Sequence, residues 1–179
     1  LHRTVQTGDH AKEGVEATIS PSMDIQISSN FERLLFDLYD REGAAVQTLM
    51  EELSTKGAFT LSQGALARLR EEFDSARSDE LETAATIAAI REETGLVIDP
   101  HTAIGVKAAA DARGDQAVPM VVLGTAHAAK FPDAVENACG VRPDLPPRMA
   151  DLFERDERVQ HAPNDLYALQ TIIRKGIRA

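Results

Sequence analysis

The sequence lacks features that several classes of protein require. Its 179 residues include one cysteine, Cys139, so no disulfide can form within the chain. We therefore expect a reducing, cytoplasmic compartment, with Cys139 filling a small space in the core near a helix end. No apolar run is long enough to span a bilayer, and no signal-peptide pattern opens the chain. The composition thus predicts no association with a membrane.

Positive charge is also scarce. Acidic residues outnumber basic ones by 29 to 19, which gives a formal net charge of −10. The basic residues are scattered, whereas a nucleic-acid-binding protein usually clusters them on one face. We therefore expect no nucleic-acid partner. A few local hydrogen-bond donors could still bind an anionic small molecule.

Apolar residues recur at spacings of three and four between residues 30 and 95, which indicates helices. Their outer faces are heavily charged, as solvated faces are, and the connections between them are short. We predict a small subdomain of four helices. The predicted boundary signals are a capping box of Ser29 and Glu32, a stop at Gly57, a cap at Ser62, a cap at Ser78 or Asp79, and a stop at Gly95.

The flanking segments have a different pattern. Residues 1–29 predict an irregular segment, with a short strand at 24–28 where apolar and polar residues alternate. In segment 96–179, Asp99 and Pro100 are typical of a helix start, and Gly105 suggests that this helix packs closely against another backbone. Residues 120–123 predict a short buried strand. Further helices are predicted from about Pro132 to Gly140 and after a cap at Asn164, so the fold class is α/β, predominantly helical.

The loop after residues 120–123 carries the strongest local signal for a site. Ligands of open α/β sheets bind beyond the carboxyl ends of strands. Gly124 would allow close approach to the backbone, Thr125 offers a hydroxyl, and His127 and Lys130 add donors. The alternative is a polar surface turn in which Thr125 caps a helix, and spacing alone favours that alternative.

A second candidate lies at the predicted helix start after Asp99. His101, in the first turn, could face a ligand or pack against the capping aspartate, and the second interpretation is preferred. No histidine or cysteine spacing typical of metal ligands is present, so no metal site is expected.

Five blocks of the sequence closely resemble threonine synthases of bacteria and fungi, in the order found in that family. One departure is Ala128, where the family is expected to favour proline. The blocks are SPSMDI at 20–25, SSNFERLL at 28–35, DPHTA at 99–103, LGTAHAAKFP at 123–132 and NDL at 164–166.

The resemblance implies a pyridoxal-phosphate lyase of the tryptophan-synthase-like fold type, which converts O-phospho-L-homoserine and water into L-threonine and phosphate. It implies that the Schiff-base lysine and the glycine-rich phosphate loop lie upstream of the matched region. No catalytic residue is therefore expected in this chain. By resemblance, the hydroxyl of Thr125 faces the pyridine nitrogen of the cofactor, while His127 and Lys130 lie nearby.

We therefore expect the C-terminal part of such an enzyme, with a helical subdomain at 30–95 and a portion of the cofactor domain in the flanking segments. The first residue, Leu1, is not methionine, as a part of a larger protein would allow. Separated from an N-terminal portion, the chain should be inactive, hold no cofactor, expose apolar surface and associate with itself. The alternative is a complete, non-enzymatic module in which an acidic helical surface binds another protein.

Overall fold

The computed structural model describes residues 1–176 and divides them into two units, Leu1–Asp144 and the residues from Leu145 onwards. The described part of the second unit contains two short 3-10 helices, Pro147–Met149 and Leu152–Glu154, and the helix α8 (Leu166–Gly176). The elements of the first unit are α1 (His2–Thr7), β1 (Asp9–Ala11), α2 (Phe31–Leu38), α3 (Gly43–Lys56), β2 (Ala58–Thr60), α4 (Gln63–Glu72), α5 (Glu80–Thr94), α6 (Pro100–Ala112), a 3-10 helix (Ala128–Lys130) and α7 (Pro132–Cys139).

The first apolar core of this unit lies among the four helices α1, α2, α3 and α4 and the two-stranded sheet. Strands β1 and β2 are antiparallel, with His10 opposite Phe59. Helices α2, α3 and α4 each contribute buried side chains at helical spacing, as their sequence pattern predicts. The buried members are Leu35, Leu38, Leu49, Leu53, Phe59, Leu61, Ala65 and Leu69.

Two arginines of α4 bind the ends of the helices that pack beside it. Arg68 donates to the carbonyl oxygens of Leu38, at 2.9 Å, and Asp37, at 3.1 Å, at the end of α2. Arg70 donates to the carbonyl of Val5, at 2.9 Å, in α1. Since the last carbonyls of a helix have no partner within it, α4 supplies the donors that the ends of α1 and α2 lack.

A second core lies among α5, α6, α7 and the 3-10 helix Ala128–Lys130. Its buried residues are Ile87, Ala103, Ala128 and Val135, and Cys139 packs against them at the end of α7, as predicted for that cysteine. Helix α5 contacts both α6 and α7. The segment limits 1–29, 30–95 and 96–179 remain predictions for the whole protein, and residues 177–179 lie outside the described residues.

Most predicted helix ends are confirmed. Gly57, Gly95 and Gly140 follow α3, α5 and α7 with φ of 78°, 79° and 71°, the left-handed conformation that ends helices. Ser62 accepts from the backbone N–H of Ala65, at 3.2 Å, and Asp79 forms a capping box in α5.

Other local predictions are wrong. The first residues are not wholly irregular, because α1 and β1 form there, and six residues are too few for helical periodicity to be visible in the sequence. Helix α2 begins after Asn30 and has no side-chain cap, so the capping box predicted at Ser29 does not form. In α8 the cap is Asp165, whose carboxylate accepts from Ala168 N–H at 2.7 Å, rather than Asn164.

The two predicted strands at 24–28 and 120–123 are also wrong. Neither segment pairs with another strand within residues 1–176, where β1 and β2 form the sheet. Ile25 is 55% exposed, and Val121 and Leu123 are 79% and 75% exposed. A strand requires hydrogen bonds to a neighbouring strand, and the described residues supply none to either segment.

Residues 1–176 contain no helix that is both long enough and apolar enough to cross a membrane.

The pH dependence of stability should reveal the buried His10. Its ring stacks on Phe59, with centroids 4.9 Å apart, and Nδ1 lies 3.0 Å from the hydroxyl of Thr4. Burial lowers the pKa of His10 from its ordinary 6.5, and the positive charges of the N-terminus and Arg3 lower it further. The unfolded chain therefore binds this proton more readily, so the free energy of unfolding should fall as the pH drops below 6.5 and level off below the pKa of the folded state.

Urea unfolding followed between about pH 8 and pH 5 measures this effect. His10→Phe keeps the aromatic stack and should flatten the pH dependence, whereas His161→Gln, at an exposed position in the second unit, should not. An unchanged slope in His10→Phe would contradict the assignment.

Candidate functional site

The carboxylate of Asp99 is fully buried at the start of α6 and accepts hydrogen bonds from four donors. Two are backbone N–H groups, those of His101 at 2.9 Å and Thr102 at 3.3 Å, which is the geometry of a helix cap. The other two are His101 Nδ1, at 2.9 Å, and the hydroxyl of Thr102. A buried carboxylate is costly unless its oxygens are satisfied, and here both are.

His101 is held between Asp99 and a loop near the start of the chain. Its Nδ1 donates to Asp99, and its Nε2 accepts from the backbone N–H of Ser22 at 3.1 Å. These partners require the neutral ring with its proton on Nδ1. The ring also packs on Phe131, with centroids 4.6 Å apart. The preferred interpretation of His101, packing against the capping aspartate, is therefore confirmed.

Thr102 links Asp99 to the predicted site loop. Its hydroxyl donates to the Asp99 carboxylate and accepts from the backbone N–H of Thr125 at 3.1 Å. The loop thus lies against the first turn of α6 while the residue Thr125 itself is exposed. We call the five residues Ser22, Asp99, His101, Thr102 and Thr125 the Asp99 network.

Thr125 is not a helix cap. The 3-10 helix Ala128–Lys130 is capped by His127, whose Nδ1 accepts from Ala129 N–H at 3.1 Å. The next helix, α7, begins after Phe131 without a side-chain cap. The prediction that Thr125 caps a helix is therefore wrong, and that role belongs to His127, although Thr125 does lie in an exposed turn.

The remaining loop residues have local partners or open space around them. Lys130 Nζ lies 5.6 Å from the centre of the Phe131 ring. A side chain at Gly124 would meet nothing within 4 Å, so the packing of residues 1–176 does not require glycine there. A Cβ at Gly105 would lie 3.3 Å from Val122 Cγ1, so the close contact predicted there is with a side chain and not with another backbone.

The sequence did not predict that the Ser22 loop (residues 18–25) contacts the first turn of α6, which also holds the site loop. Asp24 accepts from the N–H and the hydroxyl of Thr18, each at 2.8 Å, and Ser20 is buried. The sequence around Asp99 indicates a helix cap, but it carries no signal that the first turn of α6 reaches two loops.

Lys107 differs from a nucleophilic amine in its electrostatic surroundings. Such an amine needs a lowered pKa, usually from burial or a nearby cation. The hydrogen bond with Asp111 instead raises the pKa of Lys107, and Glu82 adds to the effect. Lys56 pairs with Glu52 at 2.7 Å, Lys130 lies over Phe131, and Lys12 and Lys175 are exposed. The residues from 1 to 176 also contain no group of three histidine, cysteine or carboxylate side chains that could hold a metal ion.

Comparison with known proteins gives a consistent result. Residues 102–173 match the family model "Threonine synthase, C-terminal". The threonine synthase of Pseudomonas aeruginosa is 45% identical over 174 residues, which cover 97% of this chain and 37% of that protein.

Solved structures agree with this. A crystal structure of PLP-bound threonine synthase from Brucella melitensis matches with a TM-score of 0.86 and 49% identity, over 99% of this chain and 38% of that one. The threonine synthase from yeast matches with a TM-score of 0.80 and 32% identity, over 98% of this chain and 39% of that one. The chain thus spans less than two fifths of the length of the proteins it matches.

Two capping aspartates should differ in what they contribute to stability. Asp99→Ala removes a cap and leaves the Thr102 hydroxyl and His101 Nδ1 without their buried acceptor, so it should lower the free energy of unfolding by about 2–4 kcal/mol. Asp79→Ala removes an exposed cap and should lower it by about 1 kcal/mol. Urea unfolding of both variants measures the difference, and equal losses would show that the Asp99 network adds nothing beyond a helix cap.

Proposed function

We propose that this chain, which resembles the C-terminal part of threonine synthases along nearly its whole length, is that part of a pyridoxal-phosphate lyase. The longer protein would convert O-phospho-L-homoserine and water into L-threonine and phosphate. The similarity to the PLP-bound structure, at 49% identity and a TM-score of 0.86, carries this proposal. Because the chain spans 38% of that protein, the activity is proposed for the longer protein and not for the chain alone.

Thr125 is the residue that fits the cofactor. Its backbone N–H is bound to Thr102 at 3.1 Å, so the loop has a defined position, while the residue itself is exposed. Gly124 beside it has no side chain, so a ligand can approach the backbone closely there. We assign the Thr125 hydroxyl to the pyridine nitrogen, where a neutral group does not force protonation as a carboxylate would.

The cofactor, when bound, supplies an electron sink that stabilises negative charge next to the substrate amine. The residues of this chain hold and orient it at the nitrogen edge, while its lysine and its phosphate loop belong to the remainder of the longer protein. None of the five lysines at 12, 56, 107, 130 and 175 lies in a motif that resembles the family's Schiff-base motif. His127 and Lys130 would lie close to the site without contacting the reacting atoms.

The exposed apolar segments fit a chain that packs against more protein. Met23 and Ile25 lie in the Ser22 loop, and Val121 and Leu123 precede Thr125, each between 52% and 79% exposed. Apolar surface of this kind marks an interface. We assign it to the remainder of the longer protein. In its absence the same surface would favour self-association.

The proposal is tested by phosphate release from O-phospho-L-homoserine in the longer gene product, purified with PLP. The chain alone should release no phosphate. After incubation with PLP and borohydride, mass spectrometry should find no stoichiometric lysine adduct on the chain, because the resemblance implies that the Schiff-base lysine lies upstream of the matched region. Phosphate release by the chain alone would contradict the proposal that activity requires the longer protein. An inactive, cofactor-free longer product would favour the non-enzymatic interaction module.

Thr125→Val in the longer protein tests the assignment of the hydroxyl. The exchange keeps the side-chain volume and leaves the backbone bond to Thr102 in place. The lost hydrogen bond should lower kcat roughly tenfold to a hundredfold.

The melting temperature should change little, since Thr125 is not a helix cap. Thr125→Ser is the matched control and should retain most activity. Near-normal turnover in the valine variant would remove Thr125 from the site.

A further inference from the structure

The segment from Pro119 to Ala126 is joined to the rest of the described chain by very few interactions. It forms no strand pairing and no backbone-to-backbone hydrogen bond with residues elsewhere in the range 1–176. In that range its hydrogen bond to another segment is the one from Thr125 N–H to the Thr102 hydroxyl. Val122 adds an apolar contact near Gly105. Within residues 1–176, the hydrogen bond that holds the backbone of Thr125 therefore comes from one side chain of α6.

The direction of this hydrogen bond is set by Asp99. A threonine hydroxyl can donate one hydrogen bond. Here it donates to the buried carboxylate of Asp99, because an ionised carboxylate can only accept. The lone pairs of the hydroxyl are then left for Thr125 N–H. Bonding to a charged group also strengthens the hydroxyl as an acceptor along the chain of hydrogen bonds.

We propose that Thr102 is a positioning residue that fixes the backbone of Thr125, with Asp99 holding Thr102 in place. Its consequence for catalysis rests on the proposed function, in which the Thr125 hydroxyl contacts the cofactor. The link between Thr102 and Thr125 does not rest on it, since both residues lie in the described chain. Thr102 itself touches neither cofactor nor substrate.

Three variants of the longer, PLP-loaded protein separate positioning from stability. Thr102→Val removes the hydroxyl at nearly constant volume, and Thr102→Ser restores it. Thr83→Val is the matched control: Thr83 is also a buried threonine, and its hydroxyl donates to the carbonyl of Asp79, at 2.7 Å, in the first turn of α5. If Thr102→Val does not fold, Thr102→Ala removes the same hydroxyl without adding a methyl group.

The first measurement is hydrogen exchange of the Thr125 amide, resolved by fragmentation mass spectrometry. Thr102→Val should accelerate it roughly tenfold, because the amide loses its acceptor. Thr102→Ser and Thr83→Val should leave it near the wild-type rate. Unchanged exchange in Thr102→Val would overturn the proposal whether or not the protein proves to be a lyase.

The second measurement is the absorption spectrum of the bound cofactor together with kcat and KM. Thr102→Val should shift the spectrum and lower kcat roughly tenfold with little change in KM, and Thr102→Ser should restore both. Thr83→Val should lower the melting temperature alone.

Fast exchange with a normal spectrum and kcat would show that Thr102 holds the Thr125 backbone without an effect on the cofactor, and would refute the catalytic consequence. A wild-type protein that binds no PLP would refute the proposed function, and with it the catalytic consequence. The exchange result would still show whether Thr102 holds the backbone of Thr125.

Discussion

The buried carboxylate of Asp99 determines how the loops of the first unit are arranged. It caps α6, sets the tautomer of His101 and accepts the one hydrogen bond that the Thr102 hydroxyl can donate. Through these two side chains it holds Ser22 on one side and Thr125 on the other, at 3.1 Å in each case. Two loops separated by about a hundred residues of sequence are therefore linked through one buried carboxylate, and its loss would leave His101 Nδ1 and the Thr102 hydroxyl without an acceptor.

The apolar core of α5, α6 and α7 packs directly behind this first turn. Ile87 and Ala103 are fully buried, and they bring α5 against the helix whose first turn contains Asp99. Beside the other core, Arg68 and Arg70 of α4 donate hydrogen bonds to backbone carbonyls near the carboxyl ends of α2 and α1. Helices with short sequences and weak caps are stable here because their ends find donors on a neighbour.

Local signals in the sequence predict local structure well. Gly57, Gly95 and Gly140 end helices because left-handed backbone suits glycine, and Ser62 and Asp79 begin them because their side chains reach the first free N–H groups. The resemblance to threonine synthases follows from short motifs whose order matches that family.

What the sequence could not reveal depends on distant partners. The strand predicted at 120–123 needs a neighbouring strand that residues 1–176 do not provide. The cap on the 3-10 helix comes from His127 rather than Thr125, since an imidazole nitrogen can accept an N–H as a hydroxyl can. The connections from α6 to Ser22 and Thr125 span 79 and 23 residues, beyond the reach of any motif.

The pairing of His101 with Asp99 has a consequence for how such pairs are interpreted. An aspartate behind a histidine is the arrangement that hydrolases use to make a general base, which takes a proton on the nitrogen remote from the carboxylate. Here that nitrogen, Nε2, already shares its lone pair with the N–H of Ser22. Both ring nitrogens of His101 are therefore occupied by structural hydrogen bonds, although the composition of the pair matches that of a charge-relay pair.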